Sequence, residues 1–180
     1  MESLAYVLTS GWASGVNVYA TLLVTGLVGR YGDVEGVPDV LQRTDVLLLT
    51  GALSALEFVA DKIPYLDSAW DAVHTVIRPA VGAMLGALVA GEADDLGEAA
   101  GAVLGGTTAL ASHAAKASLR LAVNASPEPV SNVVISLAEN TAVVGVLLLA
   151  IDHPWVALAI AGVLLVASGA LAVLLIRTIR

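Results

Sequence analysis

Cysteine is missing from the 180-residue chain, which excludes disulfides and thiolate metal or redox chemistry and leaves the fold to hold without covalent staples. Charge is scarce as well: 13% of residues are Asp, Glu, Lys or Arg, about half the share typical of a soluble domain. There is no His-Glu-x-x-His zinc motif, no Gly-x-Ser-x-Gly nucleophile elbow and no phosphate-binding loop. Enzymatic chemistry is therefore the less expected role, and no cofactor is expected. Three histidines, His74, His113 and His153, are too scattered in sequence to define a metal site, although folding can join the first two. Met1-Glu2-Ser3 lacks the basic start of a secretory signal peptide, so the first apolar stretch is expected to stay in the mature protein.

What is present is apolar. Hydrophobic residues make up 58% of the chain and the mean hydropathy is +0.87, the composition of an integral membrane protein in the lipid bilayer. Each membrane span takes about 20 residues, so the chain reads as one all-α, multi-pass bundle over residues 1–180. Apolar runs broken by charge or proline predict six transmembrane or half-membrane helices near 4–29, 45–62, 69–91, 97–121, 132–151 and 154–178. Pro79 sits inside the third, and Ser68 with Asp71 has capping-box spacing, which predicts a kinked helix starting near Asp67 or Ser68. Ser131 or Asn132 is expected to cap the fifth. The net charge of −8 comes from acids gathered in two loops, Asp33 to Asp45 and Glu92 to Glu98, read as solvated surface. No nucleic-acid partner is expected.

If the N-terminus is cytoplasmic, Lys62, Arg78, Lys116, Arg120, Arg177 and Arg180 fall on that side and only Arg30 and Arg43 outside. That distribution obeys the positive-inside rule and predicts both termini in the cytoplasm. Gly97, Gly101 and Gly105, with Gly11/Gly15 and Gly82/Gly86, form four-residue ladders suited to close helix packing. One of them is a candidate subunit interface in a homo-oligomer. Ser54-Ala-Leu-Glu57 in the second span matches Ser136-Leu-Ala-Glu139 in the fifth, which allows two inverted halves, 1–91 and 97–180. At 1.5 Å per residue, Glu57 lies about 16 Å from the outer end of its helix and Glu139 about 10 Å from the inner end of its own.

Ionisable residues within such stretches are costly in a bilayer and mark candidate sites. Glu57 and Asp61 lie one turn apart on one face, with Lys62 turned about 100° away; paired carboxylates suit a cation or a relayed proton. Asp71, His74 and Arg78 occupy positions i, i+3 and i+7, and His113, Lys116 and Arg120 repeat the spacing. Both faces are expected to line a cytoplasmic vestibule that takes an ion or a small anionic solute such as a phosphate. The alternative is that Lys116 and Arg120 snorkel to headgroups. Ser10-Gly11-Trp12-Ala13-Ser14-Gly15-Val16-Asn17 is a place where the first helix breaks, with Ser14 and Asn17 near freed backbone ligands, or else a tightly packed continuous helix. Between the fourth and fifth spans, Asn124-Ala-Ser126-Pro127-Glu128-Pro129 forms a rigid loop in which Glu128 is placed to gate or neutralise the basic face.

The pieces Gly11-Trp-Ala-Ser-Gly15-Val-Asn17-Val-Tyr19, Glu57-Phe-Val-Ala-Asp61-Lys62-Ile-Pro64, Asp67-Ser68-Ala-Trp70-Asp71-Ala-Val-His74-Thr75-Val-Ile-Arg78-Pro79 and Asn124-Ala-Ser-Pro-Glu128-Pro resemble a bacterial membrane-protein family, domain of unknown function 4126. The likeness covers nearly the whole chain and implies a bacterial plasma-membrane protein with a set of signature positions rather than a reaction. One departure is Asn140, where the resemblance implies an acid after the span-five glutamate. The expectation is a small secondary transporter or channel-like permease with a carboxylate site at Glu57, Glu139 and Asp61. A lipid-headgroup-binding membrane enzyme and an accessory subunit of a membrane complex are the alternatives.

Overall fold

The computed structural model describes residues 2–32, 34, 36–91, 97–124 and 129–179. Among them the chain is entirely helical between turns: α1 (Glu2–Val16), α2 (Val18–Tyr31), α3 (Asp39–Gln42), α4 (Thr44–Ala60), α5 (Pro64–Gly91), α6 (Glu98–Asn124), α7 (Pro129–Asp152) and α8 (Pro154–Ile179). Three of the long helices begin on proline, whose missing N–H costs nothing in a first turn and whose fixed φ suits helix entry. Pro64 therefore starts α5 earlier than the predicted Asp67 or Ser68, and Pro129 starts α7 ahead of Ser131 and Asn132. The capping roles expected of those residues are corrected accordingly. Pro79 lies inside a continuous α5, as the single-helix reading of the third span expects.

The first span is broken at Asn17, whose extended backbone (φ −147°, ψ 100°) separates α1 from α2 and whose side chain accepts the Ala20 N–H as the α2 N-cap. The two helices then fold back on each other. Ser3, Tyr6 and Ser10 of α1 line one cavity together with Val24, Thr25 and Val28 of α2; in a continuous helix Ser3 and Val28 would be about 37 Å apart. α1 and α2 are thus the arms of a hairpin with Asn17 at its tip. The expected single crossing by residues 4–29 is corrected: 15- and 14-residue arms are each too short to span a bilayer.

Most of α1 is buried, including every residue from Thr9 to Val16, and so are Asn17 and Val18 at the tip, so the break itself is enclosed by protein, the condition under which broken backbone is tolerated at membrane depth. Its walls are helix faces of small residues. A Cβ on Gly11 would lie 2.7 Å from the Gly105 carbonyl, one on Gly82 2.9 Å from the same oxygen, and Gly86 and Gly101 each face the other's backbone. The glycine ladders expected at a subunit interface instead bring α1, α5 and α6 together within one chain. On the far side Trp12, Ala13 and Val16 pack on Val143 and Val146 of α7 and Ala157 and Ala161 of α8.

Direction along the bundle follows from these contacts. The Tyr6 hydroxyl donates to Ile151 O at the end of α7, and α8 runs from there until Ala172 meets Leu119 and Val123 near the end of α6. The start of α1 and the end of α8 consequently lie at opposite ends of the bundle. Among the described residues three helices are long and apolar enough to cross a membrane, Tyr65–Gly91, Val130–Asp152 and Pro154–Thr178, rather than six. These mark a membrane protein.

Candidate functional site

Beyond the hairpin tip, α4, α5, α6 and α7 converge and bury their ionisable residues together. Arg78 and Glu57 are fully buried and paired at 2.7 Å (Nη2 to Oε1); the Arg78 Nη1 also reaches Asp71 Oδ1 at 2.9 Å. Lys116, 3% exposed, places Nζ 3.2 Å from Asp61 Oδ2, 3.8 Å from Glu57 and 4.0 Å from Glu139. Its ammonium also donates to the Val16 carbonyl at 3.0 Å, the free C-terminal carbonyl end of α1. Arg120 binds Glu139 Oε2 through both Nε and Nη2, donates to Asp61 O and Asn132 Oδ1, and lies 3.9 Å from Asp67. One connected network therefore contains Glu57, Asp61, Asp67, Asp71 and Glu139 against Arg78, Lys116 and Arg120.

The spacings explain the convergence. Asp67, Asp71, His74 and Arg78 lie on one face of α5, His113, Lys116 and Arg120 on one face of α6, and Asn132, Ser136 and Glu139 on one face of α7, each at intervals of three or four residues. Glu57 and Asp61 share the inward face at the end of α4 and are 0% and 1% exposed. Lys62 borders the cluster, with Nζ 2.7 Å from the Phe58 carbonyl, over the Phe58 ring and 3.4 Å from the Ser136 hydroxyl.

A hydrogen bond fixes His113 in its neutral form. Arg78 can only donate, so His113 Nδ1 accepts from it at 2.8 Å while Nε2–H donates to the Thr75 hydroxyl at 3.1 Å. His74 gives its Nδ1–H to the Trp70 carbonyl at 2.7 Å, and its Nε2 pairs with the Tyr19 hydroxyl 3.0 Å away. Its ring stacks on Trp70 and meets Tyr19 edge-on.

The expected residues Glu57, Asp61, Asp71, Arg78, His113, Lys116, Arg120 and Glu139 are all brought together, with His74 beside them. They do not line an open vestibule: Arg78, His74, His113, Lys116 and Arg120 are each 3% exposed or less, and the cations are turned onto acids rather than outward. Nor do Lys116 and Arg120 snorkel. Asn17 joins from the hairpin tip, donating to Asn140 Oδ1 at 2.7 Å. Ser14 stays outside, its hydroxyl returning to Gly11 O. Asn124 lies at the edge, with Nδ2 2.8 Å from Asp67 Oδ2. Glu128 lies outside the described residues, as do Glu92, Asp94 and Asp95 of the acidic loop. Asp67 and Asn132, read from sequence as helix-start residues, belong to the network instead. Extending the α5 face back one turn from Asp71, and the α7 face back two from Glu139, reaches both.

Formal charge does not close. Five carboxylates face three arginine and lysine cations, an excess of two carboxylates. Moreover Glu57 Oε2, Asp61 Oδ1, Asp67 Oδ1 and Asp71 Oδ2 are buried without a hydrogen-bond partner. A buried carboxylate oxygen left bare is expensive, and ionised groups out of water cost several kcal/mol each. Among the described residues no group of three or more His, Asp or Glu is arranged to hold a metal ion.

The sequence profile of a family described as a domain of unknown function (DUF4126) matches residues 4–176. No curated protein and no solved structure matches the chain.

Proposed function

We propose that this chain, which belongs to the DUF4126 family of unknown function, is a small secondary transporter or channel-like permease of a bacterial plasma membrane. Its buried five-acid, three-base cluster is the proton- or cation-binding centre. The observation that carries the reading is the excess of two carboxylates over arginine and lysine, with four of their buried oxygens lacking a hydrogen-bond partner. A purely structural network gains nothing from surplus buried charge. A centre that loads and unloads a positive charge needs it. The hairpin supports the same reading, since it brings the ends of two half-helices, the Val16 carbonyl and the Asn17 cap, to the cluster at the depth where transporters break their helices. Glu57 and Glu139 reach the centre from α4 and α7, which run in opposite directions, as inverted halves would place them.

The charge distribution supports an orientation. Lys62 and Arg177 lie at the end where α8 finishes. Arg30 and Arg43 lie at the other end, with Glu2, Asp39, Asp45, Glu98 and Asp152. The α8 end then faces the cytoplasm and α1 starts outside. Lys62, Arg177, Arg30 and Arg43 keep the sides that the sequence reading gave them and only the start of α1 moves, while Lys116 and Arg120, buried among acids, carry no topological weight.

The test is flux through protein reconstituted into liposomes, with a trapped pH dye and an imposed membrane potential. Wild type is expected to pass protons or exchange them for sodium or potassium, and Glu57→Gln with Glu139→Gln to lose that flux. Equal flux in both removes the centre. A second reading, an accessory subunit of a membrane complex, is favoured by the fact that each cluster acid has a basic partner within 4.0 Å; it predicts a fixed co-purifying partner and no flux from the chain alone.

A further inference from the structure

Behind Glu139 the bundle is not filled. A cavity of about 200 Å³ lies between α1, α6, α7 and α8, walled by Trp12, Val16, Leu119, Ile135, Leu164 and Leu165. It ends on Lys116 and Glu139, so an apolar chamber leads directly to the charged network. Glu139 is the cluster acid with the most open side chain, 14% exposed, against 7% or less for Glu57, Asp61, Asp67 and Asp71. Ala138 and Leu171, also in the lining, are exposed on the outside of the bundle. The chamber mouth therefore opens sideways onto the apolar helix surface, where a bilayer's acyl chains would lie, and not onto water.

Size and charge together define what fits. The chamber is somewhat larger than the roughly 150 Å³ apolar cavity known to hold benzene, so it accepts a ring or short branched chain and little more. Its charged end belongs to a network with two surplus negative charges. The Lys116 ammonium is turned inward onto Val16 O and Asp61, so an incoming group meets the Glu139 carboxylate without meeting an unpaired cation. An anionic headgroup is repelled there, and a neutral apolar molecule leaves the surplus uncompensated.

Resting on the transport reading above, we infer that the chamber is the substrate site, and that its ligand is a small organic cation with an apolar body, entering from the membrane between α7 and α8 and setting its positive charge against Glu139. Such a ligand supplies the same charge as a proton, so cation binding and proton loading compete for one centre.

Calorimetric titration of the full chain in lipid nanodiscs, with empty nanodiscs subtracted, tests this using benzyltrimethylammonium, benzyl alcohol and benzoate. The ammonium is expected to bind saturably and at least about ten-fold more tightly than either other probe. Glu139→Gln should weaken it about ten-fold or more, and so should Ala138→Phe, which puts a ring into the mouth from an exposed position and leaves every member of the charged network in place. Equal affinity for the three probes overturns the inference, and so does wild-type binding by a folded Ala138→Phe. If Glu139→Gln does not fold, Ala138→Phe decides alone. Proton flux that depends on Glu57 but is accompanied by no ammonium binding removes the substrate class and keeps the proton centre. Saturable, Glu139-dependent ammonium binding without flux keeps the chamber and removes the transport reading.

Discussion

Two arginine–carboxylate pairs in this protein have the same 2.7 Å separation and opposite surroundings. Arg43 and Asp45 stand in the turn before and at the start of α4 with side chains 63% and 65% exposed, whereas Arg78 and Glu57 are entirely buried. The exposed pair exchanges water for a partner and gains little, because solvent and salt screen what the contact supplies. The buried pair has no water to return to, so each member depends on the other and on Asp71, His113 and Lys116 around it. Distance alone does not rank these contacts; the dielectric around them does. The contrast also explains why polar residues gather at one place in a chain otherwise apolar enough for lipid. Once one buried charge is present, its neighbours must be polar to satisfy it.

The largest effect should come from breaking the buried pair on one side. Arg78→Met strands Glu57 and Asp71 and is expected to cost about 3–5 kcal/mol, seen as loss of folded protein or a large fall in melting temperature. Adding Glu57→Gln and Asp71→Asn should restore much of that loss, and failure to do so would mean that Arg78 acts through packing rather than charge. Next, Gly105→Val puts a side chain against the Gly82 backbone and should cost about 1–3 kcal/mol by forcing α5 and α6 apart, whereas Gly145→Val, in open space, should be nearly silent in the same melt. Asn17→Ala removes the α2 cap and the bond to Asn140, worth about 1–2 kcal/mol together, with Asn17→Asp keeping the cap alone. The smallest effect belongs to the surface pair: Arg43→Ala should leave the melting temperature unchanged within error. The Arg43 hydrogen bond holds the Asp45 carboxyl below its usual range. Whatever that pair contributes is thus present above the ordinary carboxylate pKa, is lost as pH falls through the lowered value, and disappears with added salt.

How much of this could be read from sequence differs from helix to helix. Spacing at three and four residues on α5 and α6 was enough to group Asp71, Arg78, His113, Lys116 and Arg120, because helical faces are local. The break at Asn17 was legible for the same reason, as a run of small and capping residues. Its consequence was not, since nothing local separates a helix that bends and continues from one that reverses; the reversal depends on Gly11 and Gly15 meeting α6 and on α2 lying along α4. The end of the bundle at which α1 starts follows from that reversal and is equally invisible to a local reading. Asp67 and Asn132 were hidden by their places near helix starts, where a polar side chain already has an ordinary explanation. That the site is closed rather than an open vestibule follows only from how four helices pack, and no single segment carries that information.

The central claim is that five buried carboxylates and three buried cations leave a surplus filled by exchangeable positive charge. Infrared spectroscopy of the purified protein in lipid, at neutral pH in buffer free of sodium and potassium, measures this most directly. The account predicts a protonated-carboxyl band that weakens when a binding cation is added and is reduced in Glu57→Gln. A spectrum in which every carboxylate is ionised, with no band under cation-free conditions and no change on adding cations, would contradict it.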